Sequence, residues 1–325
     1  MSATMIRCLG ALLAMCLMWH GTVQAAGKTY AERLGWPEGA RVVMFHSDDL
    51  GMCLEGNRGT AKAIEGGLVT SVSTMMPCPW VPGWLAYLKA NPEVDNGLHL
   101  TLTSEWDHYR WGPVAGKPAV PSLVDQQGCL WGGVRDVIQH GTPDDVEREI
   151  RAQIDKALAM GMPVTHLDSH MGTLFANPAF FERYVTVGIE YQIPILITGP
   201  DGYLSNKYEG GLAKILTAGG LHEKVWNAGL PVLDDATGVS YSWKTHEEKK
   251  RMFMQTIREL KPGVTELIVH CTLQDAHFDA ISSSGATRQA DYDVMVDPEV
   301  IQLVKDEGII LTTWRELKAR RDAVK

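Results

Sequence analysis

The segment RVVMFHSDDLGM, residues 41–52, begins with an apolar run behind Arg41 and ends on two adjacent aspartates, Asp48 and Asp49. The run reads as a buried β-strand, and the carboxylates then stand at its C-terminal end. In β/α folds the chemistry gathers where strands end. Two neighbouring carboxylates repel each other, so keeping both ionised at one strand end requires a partner charge.

Outward from this strand, apolar runs alternate with amphipathic stretches. Further strands are expected at TSVSTMM (70–76), GLHLTLT (97–103), VTHLDSH (164–170), IPILIT (193–198), LPVLD (230–234), ELIVHCT (266–272) and GIILTTW (308–314). The clearest helix is TPDDVEREIRAQIDKALAMG, residues 142–161. Thr142 suits the cap, Pro143 the first helical position and Gly161 the stop. Val146, Ile150, Ile154 and Leu158 recur every fourth residue and predict one buried face. Strands alternating with helices imply a parallel sheet covered by helices, and seven or eight such units predict a closed or nearly closed β/α barrel. Two long loops interrupt the rhythm, residues 104–141 and 272–295, and long loops in a compact domain are commonly functional.

The chain has 325 residues, of which 45% are hydrophobic and 21% charged, with a formal net charge of −9. This balance argues against nucleic acid as a partner, since phosphate binding calls for a basic surface. At the N-terminus, Arg7 precedes the apolar run CLGALLAMCLMW, and small residues at Val23 and Ala25 precede Ala26. Residues 1–25 are read as a secretory signal peptide and residues 26–325 as one domain, exported to the periplasm or secreted. No later run approaches the ~20 apolar residues that span a bilayer. Beyond the signal, Cys53, Cys78, Cys129 and Cys271 remain; they form no Cys-x-x-Cys pair, and their disulfide state is open.

Several strand ends carry acid or imidazole groups: Asp48 and Asp49, His99 in NGLHLTLT, the trio His166, Asp168 and His170 in THLDSH, and His270 in ELIVHC. Alternate residues of a strand share a face, so the trio is expected to point one way. Singly, a strand histidine is more often structural than a ligand. Together, one carboxylate and two imidazoles make a three-ligand metal site with positions left for water and substrate. Asp49 on a divalent cation would leave Asp48 free as a general base beside it, which gives the adjacent aspartates different tasks.

The ordered set SDDLGM, GNRGTAKAIEGGLVTSVSTMM, GLHLTLT, THLDSH and ELIVH, spread through residues 41–315, resembles the YdjC-like carbohydrate deacetylases, which include chitooligosaccharide deacetylases. The resemblance implies a distorted TIM-like barrel and one divalent metal ion (Mg2+ or Zn2+) held by Asp49, His99 and His170. It also implies hydrolysis of the N-acetyl group of an acetylated sugar or oligosaccharide, with Asp48 as base and His270 as candidate acid. The chain departs from the family's usual pattern at three places: His46-Ser47 precede the aspartates instead of Asn-Ala, Met171-Gly172-Thr173 replace further histidines after His170, and Cys271 replaces a proline after His270.

Asp168 is expected to orient a histidine ligand, and His166 is either part of that support or buried structure. Arg288, in GATRQADYD, is placed either on a substrate group or in an ion pair. Trp106, Tyr109, Trp111 and Trp131 lie in the long loop after the third strand, and Trp106 or Trp111 is expected to stack on a sugar ring. Two other readings stay open: a metal-dependent hydrolase of a different amide or ester, and an exported glycan-binding protein without catalysis.

Overall fold

The computed structural model describes residues 27–208 and 220–324. The segment read as an export signal lies outside the described residues. Among the described residues no helix is long and apolar enough to cross a membrane.

The central strand is β1, Arg41–Leu50, and every residue in it after Arg41 is buried. It is buried on both faces, which is why it reads as an apolar run without alternation. Around it stand β2 (Val69–Thr74), β3 (Asn96–Leu100), β4 (Leu167–Ser169), β5 (Asp235–Thr237), β6 (Gly263–Val269) and β7 (Ile310–Leu311). All pairings are parallel, and the order is β4-β3-β2-β1-β6-β5. β7 pairs with Val42 and Val43, while β2 joins the same side of β1 only from Phe45 onward.

The expected closed or nearly closed barrel is corrected to an open, parallel half-barrel. Among the described residues no ladder joins β4 to β5; the isolated bridges Leu167–Ile195 and Thr198–Leu233 stand in its place. The segment IPILIT forms no strand, in keeping with Pro194, which has no N–H to donate, and with Gly199-Pro200 directly after it. LPVLD likewise stays irregular, and its strand forms later, at Asp235. GIILTTW contributes two exposed strand residues.

The predicted helix is present as Pro143–Ala159, with the Thr142 side chain accepting the Asp145 N–H and Gly161 at φ +70°. Val146, Ile150 and Ile154 are fully buried, but Leu158 is 50% exposed, because each four-residue step overshoots a 3.6-residue turn by about 40° and carries the fourth position off the buried face. Its buried face also carries polar residues that apolar periodicity does not reveal. Gln153 exchanges two hydrogen bonds with the Thr101 backbone, at 3.0 and 2.7 Å. Glu149 accepts the N–H groups of Val114 and Ala115 at 2.8 and 2.9 Å. This helix therefore ties the end of β3 to the loop that follows it.

The stretch 272–295 is not a loop. Asp275 caps a helix at Ala276–Ile281, and a second helix runs over Gly285–Met295. Helix Leu54–Gly66 packs closely on the end of β6: a Cβ on Gly59 would lie 2.8 Å from the Cys271 carbonyl oxygen. Glycine at this position lets the helix backbone approach the strand end that carries His270.

Candidate metal centre

Consecutive strand residues point to opposite faces, so a regular β1 would separate Asp48 from Asp49. The pairing of β1 with β2 is irregular between Ser47 and Leu50, and Asp49 takes φ +70°. Such an irregularity re-aims a side chain, and aspartate tolerates the left-handed region better than most residues. Both carboxylates consequently line one cavity of about 840 Å3.

Three strand ends converge on Asp49. Its Oδ1 lies 3.4 Å from His99 Nε2 and 3.2 Å from His170 Nδ1. The three ligand atoms lie within 4.8 Å of one another, and Asp49 Oδ1 is buried with no hydrogen-bond partner. The far nitrogen of each ring is held by a carboxylate: His99 Nδ1 by Asp168 Oδ1 at 2.6 Å, and His170 Nε2 by Glu105 Oε1 at 3.0 Å. A carboxylate behind each imidazole is the support that metal-binding histidines receive. The orphaned oxygen, the donor set and the two supports fit a divalent cation.

The electrostatics agree. Burial works against charging His170, but Glu105 and Asp49 outweigh it and push the ring up to about 9. His99 is likewise held well above its ordinary value, burial being overcome by Asp48 and Asp168. Asp49 is held well below the usual carboxylate range, where burial is outweighed by Arg288, His170 and His99. The cluster thus draws positive charge to the point where the three ligand atoms meet.

Asp48, also set among His99 and Asp168 in a possible ligand group, is engaged differently. Its Oδ1 accepts from Ser73 Oγ at 3.0 Å and faces His46 Nε2 at 3.0 Å. His46 Nε2 also lies 3.1 Å from Asp168 Oδ2. Burial opposes a charge on His46, yet Glu266, Asp168 and Asp48 hold it well above its ordinary value. Through Nε2 the ring thus bridges two aspartates. His46, a departure from the usual family pattern, belongs to the site's support, and so does Glu105; neither was singled out as a site residue from sequence. The four apolar neighbours before His46 masked the first, and Glu105 lies in irregular chain where no periodicity marks a direction.

Other expected residues divide by depth. Asp168 and His170 line the cavity, whereas His166 lies below it, fully buried and stacked on Trp314 at 5.1 Å. Its ring is held well below the ordinary histidine value by burial, with charged His46 adding to the effect. His166 is therefore core. Arg288 is 4% exposed, lines the cavity and places Nη1 2.7 Å from Asp49 Oδ2 in a buried ion pair. The guanidinium also faces the Trp106 and Tyr241 rings at 5.7 and 5.4 Å. His270, directly after β6, lines the same cavity, with its ring edge-on to Tyr241.

Of the loop aromatics only Trp106 lines the cavity. Trp111 is 4% exposed and donates its Nε1–H to the Thr103 carbonyl, so its expected place on a sugar is corrected to a place in the core. Trp131 stacks on His140, and Tyr109 donates to the Met52 carbonyl. Trp111→Ala is expected to destabilise the fold by about 3–5 kcal/mol, as for other buried aromatic truncations. Trp106→Ala, which removes ring contacts with Trp111 and Phe278, is expected to cost less stability than Trp111→Ala and to weaken substrates carrying a second sugar ring by about 1–3 kcal/mol. Thermal melts and steady-state kinetics on a mono- and an oligosaccharide check both; equal losses on the two sugars would show that Trp106 only supports the loop. Among the described residues, Cys53, Cys78, Cys129 and Cys271 are free thiols, all but Cys129 buried.

The sequence profile described as YdjC-like protein matches residues 42–306. The chain is 25% identical over 278 residues to a carbohydrate deacetylase of Thermoanaerobacter pseudethanolicus, covering 86% of this chain and 100% of the relative. It is 30% identical over 290 residues to a carbohydrate deacetylase of Thermus thermophilus, covering 88% and 97%. A chitooligosaccharide deacetylase of Yersinia enterocolitica is 33% identical over 135 residues, 40% of this chain and 49% of the relative. Among solved structures, an Enterococcus faecalis protein provisionally described as a cellobiose-phosphate cleavage protein has the same fold, with TM-score 0.69 and 20% identity over 86% of this chain and 99% of that one.

Proposed function

Since the chain belongs to the YdjC-like protein family, with carbohydrate deacetylases among its full-length relatives, we propose that it is a metal-dependent hydrolase that removes the N-acetyl group from an acetylated amino sugar or oligosaccharide. The observation that carries this reading is the convergence of Asp49, His99 and His170 beside a second, separately held carboxylate, Asp48, in one cavity.

A bound Mg2+ or Zn2+ would be held by Asp49, His99 and His170, and would supply Lewis acidity toward the acetyl carbonyl and a lower pKa for water. Asp48 accepts the proton of the attacking water, while Ser73 and His46 fix the carboxylate in place. His270, after the neighbouring strand β6 on the same cavity, returns a proton to the sugar nitrogen as the C–N bond breaks. Acetate and a free amine leave. Trp106 offers a ring face to the apolar side of a sugar.

The same reading places the enzyme outside the cytoplasm, with residues 1–25 as the export signal. N-terminal sequencing of the protein from its native host should then begin at Ala26; a start at the initiator methionine would reject export by this route. The activity itself is tested by acetate release from a panel of acetylated mono- and oligosaccharides, with and without added metal after chelation. Release that is insensitive to chelation would reject the metal-dependent reading, and tight sugar binding without release would favour a binding protein.

A further inference from the structure

Lys249 and Asp291 form an ion pair at 2.6 Å with both side chains at 0% exposure, and no step above uses it. Helix His246–Glu259 brings the lysine and helix Gly285–Met295 the aspartate. The remaining oxygen of Asp291 is turned to His270: Oδ2 accepts the His270 backbone N–H at 3.0 Å and lies 3.7 Å from the ring Nδ1. That ring nitrogen is buried with no hydrogen-bond partner.

Burying two charges is costly, and a pair of apolar residues at this position would often be at least as stable. A fully buried pair aimed at a cavity residue therefore calls for a reason beyond stability. An aspartate alone beside an imidazole favours the imidazolium and makes it reluctant to release its proton. A lysine on the other oxygen draws part of that charge away.

We propose that Lys249 is a positioning residue for the proton donor: by pairing with Asp291 it limits the aspartate's pull on His270, so that the ring holds a proton yet can give it to the leaving amine. This rests on the reading of His270 as the acid. Other charged or titratable groups around the ring are Arg288 on the Asp291 helix, Tyr241 edge-on at 5.2 Å, Cys271 beside it in the chain, and Asp48 and Asp49 on the shared cavity. None of these pairs with Asp291 as Lys249 does among the described contacts. Asp291 is accordingly held below the usual carboxylate range: burial opposes this, and His270 and Lys249 outweigh it.

The test titrates the His270 ring by NMR in the full chain, in wild type, Lys249→Met, Asp291→Asn and the double variant, with Lys249→Arg as the conservative control. The expected order places the Lys249→Met titration at higher pH than wild type, Asp291→Asn at lower pH, and the double variant together with Asp291→Asn, because the lysine acts through the aspartate. Lys249→Arg should return toward wild type. A lysine that only holds the two helices together would lower the melting temperature without moving the titration. The proposal is overturned if removing Lys249 leaves the His270 titration unmoved while Asp291 is present, or moves it equally once Asp291 is asparagine; Lys249→Gln takes the place of Lys249→Met should that variant fail to fold. The alkaline limb of the acetate-release profile should move with the ring titration. If the ring shifts as expected and the rate profile does not follow, the coupling stands and His270 is not the acid.

Discussion

His99→Ala and His170→Ala should each abolish stoichiometric binding of a divalent cation and lower acetate release by at least on the order of 10²–10³. Each variant leaves Asp49 with a single imidazole, which is too few donors for a retained metal ion. The fold should survive with a reduced melting temperature, because Arg288 still neutralises Asp49 and His46 still contacts Asp168. The carboxylates behind the rings should give a graded response. Asp168→Asn and Glu105→Gln keep the ligands but loosen their orientation, and are expected to cost about 10–100-fold in metal affinity. Elemental analysis after dialysis, paired with thermal melts, separates the two classes. Full metal content in both alanine variants would overturn the site.

Asp48→Asn is expected to keep the metal and lose turnover by on the order of 10²–10⁴. The amide oxygen can still accept from Ser73, so the local hydrogen bonding is largely preserved. What it cannot do is take a proton from water. The geometry makes this a sharp test, because Asp48 could also join His99 and Asp168 in an alternative ligand set. Two facts favour the assignment to Asp49: Asp48 Oδ1 is already occupied by Ser73 and His46, whereas Asp49 Oδ1 has no hydrogen-bond partner. A parallel fall of metal content and activity in Asp48→Asn would reverse that division of labour.

The sequence made some of these residues legible and hid others for a common reason. Asp49, His99 and His170 stand at ends of apolar strands, and polar groups at such positions are visible against their surroundings. His46 sits inside the same kind of run and reads as a core residue, although in the structure it links Asp48 to Asp168. Glu105, Asp291 and Lys249 lie on loops or helices, where charged residues are ordinary. Their burial follows from which elements pack together, and local spacing carries no record of that. Trp106 and Trp111 were indistinguishable in the loop; packing against Thr103 buries one, and the cavity exposes the other.

By itself the sequence determined the parallel α/β class, the capped helix after Thr142 and the identity of the metal-capable residues. These depend on apolar periodicity, on cap chemistry and on side-chain type, all of which act over a few residues. Only the tertiary structure decided that the barrel stays open between β4 and β5, where isolated bridges at Ile195 and Thr198 replace a ladder. It alone also decided that two consecutive aspartates face one cavity. Strand alternation would part them, and the irregular pairing of β1 with β2, together with the left-handed turn at Asp49, brings them to the same side. That geometry depends on the neighbouring strand as well as on the aspartates, so it exists only once the sheet has formed.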